Sequence, residues 1–271
     1  MADRQKYVDA NGARLGYEVH DLAKGPPLVF VHGYAMRSTG PAYRELLSLL
    51  AGDFTVYALD LRGHGASAGE TANWSLATIA DDVAAFADAL GLQGAVHAGH
   101  SLGGFTGLYA TMRHPGIFSA LCLLATAPAS GGGHTPVEVR RLLTERGGDR
   151  DAMFDFFSSM YVHADRNAID QAVDSIGIMD RSVHEAFFST FPDQVITPRL
   201  GEIRIPALVL SGVRDVVVPP AEQHATALGL SFCKEVNFSG EGHMLPLEAA
   251  AMTAREIRNF CLCDVNDRFV R

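Results

Sequence analysis

One serine of the chain stands in a setting that could make it a nucleophile. Ser101 is the centre of Gly99-His100-Ser101-Leu102-Gly103, with an apolar run before it and a helical pattern after it. A sharp strand-to-helix turn holds such a serine in a strained conformation, and the glycines keep adjacent elements from colliding. A glycine-rich turn whose serine only caps the helix is the alternative, and the flanking strand and helix argue against it. The pattern therefore predicts a nucleophile that projects above the edge of a sheet.

A base and an acid that could activate this serine follow later in the chain. A hydroxyl is a weak nucleophile until an oriented base takes its proton. Asp215 follows the apolar run Ala207–Leu210, and His243 follows a run that ends at Phe238. The carboxyl ends of parallel strands meet at one edge of a sheet, so we expect these side chains to meet Ser101 there. The sequence thus predicts a catalytic triad with His243 as general base and Asp215 as its orienting residue.

Few other residues compete for these two roles. The loop after the apolar run Ala120–Leu124 is another place for the acid, and it contains only alanine and threonine before Pro128. Of the eleven histidines, His224 and His243 alone follow Asp215, and His224 falls within a predicted helix. The assignment therefore depends on the coincidence of three residues and not on any one motif.

A hydrolytic serine also needs hydrogen-bond donors for the oxyanion that forms during attack. One is the backbone N–H of Leu102, directly after the nucleophile. We expect the second from the loop after the apolar run Leu28–Val31, and we assign it to the backbone N–H of Tyr34, because Gly33 allows a close approach. His32, which begins this loop, is interpreted as a structural histidine.

The elements that must position these residues alternate along the first half of the chain. An opening hairpin is predicted around Asn11-Gly12, a favoured two-residue turn. Short apolar runs, typical of strands buried on both faces, then alternate with helical patterns. The runs are Leu28–Val31, Thr55–Leu59, Ala95–Gly99 and Ala120–Leu124, and the helical patterns are Tyr43–Leu50, Ser75–Leu90 and Leu102–Arg113. This alternation predicts an α/β fold with a mostly parallel sheet.

The alternation stops near Pro128 and resumes after Pro198. The segment between them has no buried-strand run and carries helical stretches rich in phenylalanine and methionine. Beyond it come the run Ala207–Leu210, a helix near Ala221–Leu228, a strand at Lys234–Phe238 and a final helix from Pro246 to Cys261. We therefore predict a core in two parts, residues 1–127 and 199–271, and a helical cap at residues 128–198.

Composition limits the partners of the chain. The 271 residues are 48% hydrophobic, which is enough for a sizeable core. The net charge is −9 and the basic residues form no stripe, so no nucleic-acid partner is expected. No apolar run approaches the roughly 18 residues of a membrane span, and the first residues do not resemble a signal peptide, so a cytoplasmic protein without a membrane partner is expected. No cluster of ligand side chains predicts a metal or cofactor, and no feature specifies an oligomeric state.

Taken in order, these motifs resemble those of the α/β-hydrolase fold superfamily, in particular its small, capped, esterase-like serine hydrolases. The resemblance covers nearly the whole chain and includes His32-Gly33, Asp60–Ser67, Gly99–Gly104, the Asp215 loop and Gly242-His243. It implies an eight-stranded, mostly parallel sheet flanked by helices, with Asp60–Ser67 as a structural loop. Ser101 argues against relatives that use an aspartate nucleophile, such as epoxide hydrolases.

The resemblance and the motifs together indicate a cofactor-free serine hydrolase. We expect it to cleave a carboxylic ester, or a lactone or thioester, of a small molecule with an apolar portion. Two alternatives stay open at this point. One is another reaction of the same fold, such as carbon–carbon bond hydrolysis, perhydrolysis or a lyase reaction. The other is a ligand receptor that carries the triad and turns over little.

Replacing Ser101 with alanine should abolish ester turnover and leave the fold intact, because one hydroxyl is lost and no core volume collapses. Removing the nucleophile of such a triad costs on the order of 10⁶-fold in kcat. Steady-state ester hydrolysis, with circular dichroism as the control for folding, measures this. Activity above a few per cent of wild type in Ser101→Ala would mean that the nucleophile is another residue.

Overall fold

The apolar runs of the sequence assemble into one eight-stranded sheet. The computed structural model describes residues 5–22, 24–132, 141–143, 145, 149–163, 166–176 and 178–265, and the sheet lies within these ranges. Its strands are β1 (Lys6–Ala10), β2 (Ala13–Asp21), β3 (Pro27–Val31), β4 (Thr55–Leu59), β5 (Ala95–His100), β6 (Phe118–Leu124), β7 (Ala207–Gly212) and β8 (Cys233–Phe238). The spatial order is β1-β2-β4-β3-β5-β6-β7-β8. β2 pairs antiparallel with β1 and β4, and the five other strand pairs are parallel, which confirms the predicted mostly parallel sheet.

Helices cover both faces of this sheet. They are α1 (Arg44–Leu50), α2 (Leu76–Ala89), α3 (Leu102–Arg113), α4 (Arg150–Ser158), α5 (Arg166–Ile176), α6 (Arg181–Thr190), α7 (Pro220–Gly229), α8 (Leu245–Glu248) and α9 (Ala250–Asn259). Successive side chains of a strand point to opposite faces. In β3, Val29 and Val31 join the hydrophobic cluster that contains α2 and α3, whereas Leu28 and Phe30 join the cluster that contains α1 and α9. The continuous apolar runs are thus explained by a sheet that is buried on both sides.

The residues at the two ends of α2 show how the local sequence determines where a helix begins and ends. The side chain of Ser75 accepts a hydrogen bond from the backbone N–H of Thr78 at 3.0 Å, so it caps the helix. Gly91, with φ of 67°, follows the last turn in the left-handed conformation that glycine adopts most easily.

The end of the chain differs from prediction in one respect. The single helix expected from Pro246 to Cys261 is two helices, α8 and α9, because the backbone of Ala249 (φ −125°, ψ 42°) leaves the helical region. Residues 260–264 continue α9 as a wider π-helical turn.

The described residues between β6 and β7 form helices α4, α5 and α6 and short 3₁₀ turns at Phe191–Asp193 and Thr197–Glu202, with no strand among them. The boundaries of a cap at residues 128 and 198 stay a prediction. In the described ranges, no helix combines the length and apolar character needed to cross a bilayer.

A buried ion pair attaches the loop that follows β4 to helix α2. The guanidinium of Arg62 donates from Nε to Oδ2 of Asp82 at 2.7 Å and from Nη2 to Oδ1 at 2.8 Å. Both side chains are almost fully buried. This pairing raises the pKa of Arg62, with the hydrogen bond to Asp82 as its largest cause. The pair therefore joins the Asp60–Ser67 loop to the helical layer.

We expect Asp82→Ala to lower the free energy of unfolding by about 3–5 kcal/mol, because it leaves the Arg62 charge buried without its partner. Asp81→Ala is the matched control, one residue earlier on the same helix. Asp81 pairs with Arg113 at the surface, where such pairs contribute about 0–1 kcal/mol. Urea unfolding of both variants measures the difference. Equal losses in the two variants would contradict the role given to the buried pair.

Candidate active site

Ser101 lies at the turn between β5 and α3 and has an unusual backbone. Its φ of 50° and ψ of −113° place it in a region that residues other than glycine seldom adopt. The turn depends on Gly99 and Gly103, which lie two residues before and after Ser101 and lack side chains. A Cβ on Gly99 would lie 2.3 Å from the carbonyl carbon of Gly103, and one on Gly103 would lie 2.2 Å from the carbonyl oxygen of Val31. The backbone N–H of Ser101 donates to the carbonyl of Leu124 at 3.0 Å, which ties the turn to β6.

The structure brings the three residues proposed as a triad together. Nε2 of His243 lies 3.1 Å from Oγ of Ser101, and Nδ1 of His243 lies 2.9 Å from Oδ2 of Asp215. Asp215 follows β7 and His243 follows β8, so both reach the sheet edge at which β5 ends. Asp215 and His243 are buried, and Ser101 is partly exposed. This geometry lets a proton pass from Ser101 to His243.

The carboxylate of Asp215 has a fixed orientation. Its Oδ1 accepts the backbone N–H groups of Val217 and Val218, both at 2.8 Å, which leaves Oδ2 facing His243. An ionised carboxylate only accepts hydrogen bonds, so Nδ1 of His243 must carry the proton that it donates. The lone pair of Nε2 then faces the Ser101 hydroxyl. The loop thus selects the tautomer that a general base needs.

Two backbone amides near Ser101, those of Leu102 and Tyr34, are the ones expected to bind an oxyanion. Leu102 is the first residue of α3, where N–H groups have no partner within the helix. The Gly33–Tyr34 loop approaches closely, since a Cβ on Gly33 would come within 3.4 Å of Cβ of Ser101. The assignment of the oxyanion donors to Leu102 and Tyr34 stays a prediction.

The side chain of Tyr34 has contacts that the sequence did not indicate. Its ring stacks on Phe187 of α6, with the ring centres 4.1 Å apart. Its hydroxyl lies 2.5 Å from Nδ1 of His184, on the same helix. Burial lowers the pKa of His184 to about 4, so its neutral ring accepts the Tyr34 proton near neutral pH. The proposed oxyanion loop is therefore held against α6.

His100 is a buried residue of the site whose contacts sequence reasoning missed. Its Nε2 donates to the backbone carbonyl of His243 at 3.0 Å, and its Nδ1 accepts from the Tyr43 hydroxyl at 2.6 Å. The Tyr43 oxygen accepts in turn the N–H of Gly33 at 3.2 Å. Burial lowers the pKa of His100 well below its usual value, which suits a neutral ring with one donor and one acceptor. Hydrogen bonds thus connect the Gly33 loop to the His243 loop beneath Ser101.

The other histidines considered from sequence lie outside this arrangement. His32 is buried, with Nδ1 2.7 Å from the carbonyl of Gly33 and Nε2 accepting the N–H of Leu61 at 3.0 Å. Burial lowers the pKa of His32 to about 4, as expected of a neutral structural residue. His224 is exposed and pairs with Glu235 at 2.8 Å.

A cavity of about 650 Å³ opens over Ser101 and His243. Its walls are mainly apolar and include aromatic side chains of α4 and α6, namely Phe156, Phe157, Phe187 and Phe188. The loop that follows Asp215 contributes Val216, Val217 and Val218. Across the described ranges, no group of three or more His, Cys, Asp or Glu side chains is arranged to hold a metal ion.

Comparison with known proteins agrees with this architecture. Residues 26–157 match the family described as alpha/beta hydrolase fold. A pimeloyl-[acyl-carrier protein] methyl ester esterase of Xanthomonas campestris pv. campestris (strain B100) is 26% identical over 250 residues, 88% of this chain and 96% of the relative. A non-heme chloroperoxidase of Streptomyces lividans is 28% identical over 236 residues, 79% of this chain and 83% of the relative.

Solved structures share the fold at low sequence identity. An esterase from Rhodococcus sp. ECU1013 superposes with a TM-score of 0.85 at 23% identity, covering 96% of this chain and 99% of that one. The enol-lactonase of Burkholderia xenovorans LB400 superposes with a TM-score of 0.83 at 23% identity, covering 95% of this chain and 100% of that one.

We expect Asp215→Asn to lower kcat on the order of 10⁴-fold without loss of fold. The amides of Val217 and Val218 hold Oδ1, so the asparagine oxygen must face them and its NH₂ group must face His243. Nδ1 then has to accept, the proton moves to Nε2, and the base cannot take the Ser101 proton. Steady-state kinetics and a thermal melt test this. A nearly wild-type kcat would mean that another carboxylate orients the histidine.

Proposed function

We propose that this chain, of which residues 26–157 match the alpha/beta hydrolase fold family, is a serine hydrolase that cleaves carboxylic esters of small molecules through an acyl-enzyme. The observation that carries the proposal is the alignment of Ser101, His243 and Asp215 at the sheet edge, with hydrogen-bond distances of 3.1 and 2.9 Å. The strained backbone of Ser101 and the cavity above it support the same conclusion.

The proposed reaction follows from this geometry. Ser101 attacks the ester carbonyl while Nε2 of His243 takes its proton, and Asp215 stabilises the resulting imidazolium. The N–H groups of Leu102 and Tyr34 bind the oxyanion, and each such donor contributes about 3 kcal/mol in studied enzymes. His243 then protonates the leaving alcohol, which leaves an acyl group on Ser101. Water, deprotonated by His243, releases the acid and restores the enzyme.

An ester is the substrate class that the comparisons support best among the bonds this triad can cleave. The relative from Xanthomonas campestris is named for hydrolysis of a methyl ester on an acyl chain, and it matches 88% of this chain. The largely apolar cavity suits an acyl or alcohol portion without many polar groups. Lactones and thioesters use the same acyl-enzyme and belong in the same assay panel.

Perhydrolysis is a second candidate, favoured by the relative named a non-heme chloroperoxidase. Hydrogen peroxide would replace water as the group that attacks the acyl-enzyme, and the product would be a peracid instead of an acid. Acid and peracid formation from one ester, measured with and without peroxide, separates the two reactions.

The proposal is tested by labelling and turnover. A fluorophosphonate probe should modify wild type and leave Ser101→Ala unlabelled, with the adduct mapped to Ser101 by mass spectrometry. A panel of 4-nitrophenyl esters of rising acyl length should then give many turnovers per molecule. A single turnover followed by a stable complex would instead indicate a ligand receptor, and absence of labelling would overturn the serine-hydrolase proposal.

The helical segment between β6 and β7 should select the acyl group. We expect Phe188→Ala to shift the preferred acyl length upward, because Phe188 lines the cavity and a methylene in an apolar pocket is worth about 1–3 kcal/mol of discrimination. Phe154→Ala is the control, since Phe154 of α4 packs under Arg166, 4.9 Å from its ring centre, and is not in the cavity wall. Ratios of kcat/KM over the ester panel measure the ranking. If Phe188→Ala keeps the wild-type ranking, this wall does not choose the substrate.

A further inference from the structure

One carboxylate interrupts the apolar wall of the cavity. Glu222, in the first turn of α7, lines the cavity and accepts a hydrogen bond at Oε2 from the Ser130 hydroxyl at 2.7 Å. Among the cavity-lining residues that the structure describes, it is the one with a side chain that is formally charged at neutral pH when histidines are neutral. Glu222 is half-buried, and a carboxylate that is partly removed from water is stabilised by hydrogen-bond donors or a positive charge.

The position of Glu222 links it to the proposed catalytic centre. Ser130 lies three residues after Ala127, whose backbone N–H donates to the carbonyl of Ser101 at 2.9 Å. Glu222 lies four residues after Val218, whose backbone N–H donates to Oδ1 of Asp215 at 2.8 Å. Glu222 therefore lines the cavity where the loops after β6 and β7 lead away from Ser101, and its partner Ser130 lies between the lining residues Pro128 and Gly131.

We propose that Glu222, oriented by Ser130, is a subsite for a primary ammonium group at the end of the substrate remote from the ester. The inference rests on the proposed function and names its substrate class: esters whose acyl chain ends in an amine. An ionised carboxylate offers about four acceptor positions, and Ser130 occupies one of them. An ammonium donates up to three hydrogen bonds, and a charge-assisted bond to a carboxylate is roughly twice as strong as a neutral one.

The surroundings of Glu222 strengthen its pairing with an ammonium group and disfavour a negatively charged group of the substrate. Glu222 lies in the first turn of α7, where the helix dipole favours a negatively charged side chain. The apolar surroundings screen charges less than water does, so attraction to an ammonium and repulsion of a carboxylate are both increased. An acyl chain ending in a carboxylate should therefore be a poor substrate.

A purely structural role for Glu222 makes a different prediction. If the side chain only ties the Ser130 loop to α7, then Glu222→Gln should have little effect on substrate choice, because the amide oxygen can still accept the Ser130 proton. If the charge binds an ammonium, the same substitution removes the preference. Glu45→Gln is the matched control, since Glu45 also lies in the first turn of a helix, α1, but is exposed.

Three 4-nitrophenyl esters of similar length test the subsite: the 6-aminohexanoate, the heptanoate and the adipate monoester. The first two differ mainly in an ammonium replacing a methyl group. We expect Glu222→Gln to lower the aminohexanoate-to-heptanoate ratio of kcat/KM about tenfold, the size of one charge-assisted hydrogen bond. It should also raise relative activity on the adipate monoester, whereas Glu45→Gln should match wild type. An unchanged ratio in Glu222→Gln would overturn the subsite.

Binding of n-hexylammonium, measured by calorimetry, keeps this test independent of turnover. Wild type and Glu45→Gln should bind it about tenfold more tightly than Glu222→Gln, and 1-hexanol should bind all three equally. Equal affinities for hexylammonium would overturn the subsite even if the esters are hydrolysed. If wild type fails to hydrolyse the heptanoate, the proposed function fails, and the calorimetry still decides whether Glu222 binds an ammonium.

Discussion

The backbone of Ser101 is the constraint on which the rest of the site depends. A residue other than glycine in this conformation costs on the order of 1–3 kcal/mol and persists only where its surroundings hold it. Here Gly99 and Gly103 leave room for the turn, and hydrogen bonds to Leu124 and Ala127 fix it against β6. The parallel register of β5 to β8 then brings the loops after β7 and β8 to the same edge. The proposed base can meet the serine because the sheet has already aligned the strand ends.

Much of the core was predictable because its signals are local. Strands buried on both faces appear as continuous apolar runs, and α3 begins and ends at the predicted residues Leu102 and Arg113. The break at Ala249 was not predictable, since alanine is the best helix former and gives no sign of a chain that leaves the helical region. That break follows Glu248, whose carboxylate accepts the backbone N–H of Val162 at 2.8 Å. Such a contact between distant segments leaves no trace in the hydrophobic pattern.

The candidate site shows the same division between local and distant signals. The residues proposed as a triad could be located because each follows a recognisable strand and their order is restricted. His100 could not be assigned a role, because its partners Tyr43 and His243 are 57 and 143 residues away along the chain. In addition, the Gly-x-Ser-x-Gly pattern allows any residue at its position. The structure explains why a histidine is tolerated at position 100. A polar ring in a strand buried on both faces is tolerated because both of its nitrogens have partners.

Tyr34 connects this chemistry to the cavity wall. Its backbone belongs to the proposed oxyanion loop, while its ring stacks on Phe187 and its hydroxyl bonds to His184, both on α6. Phe187 also stacks on Phe191 with ring centres 5.0 Å apart, so the wall is a row of packed rings that begins at the loop. Closely packed side chains transmit displacements instead of absorbing them. The loop that carries the proposed oxyanion donor and the aromatic wall of the cavity are therefore held in place by the same packed rings.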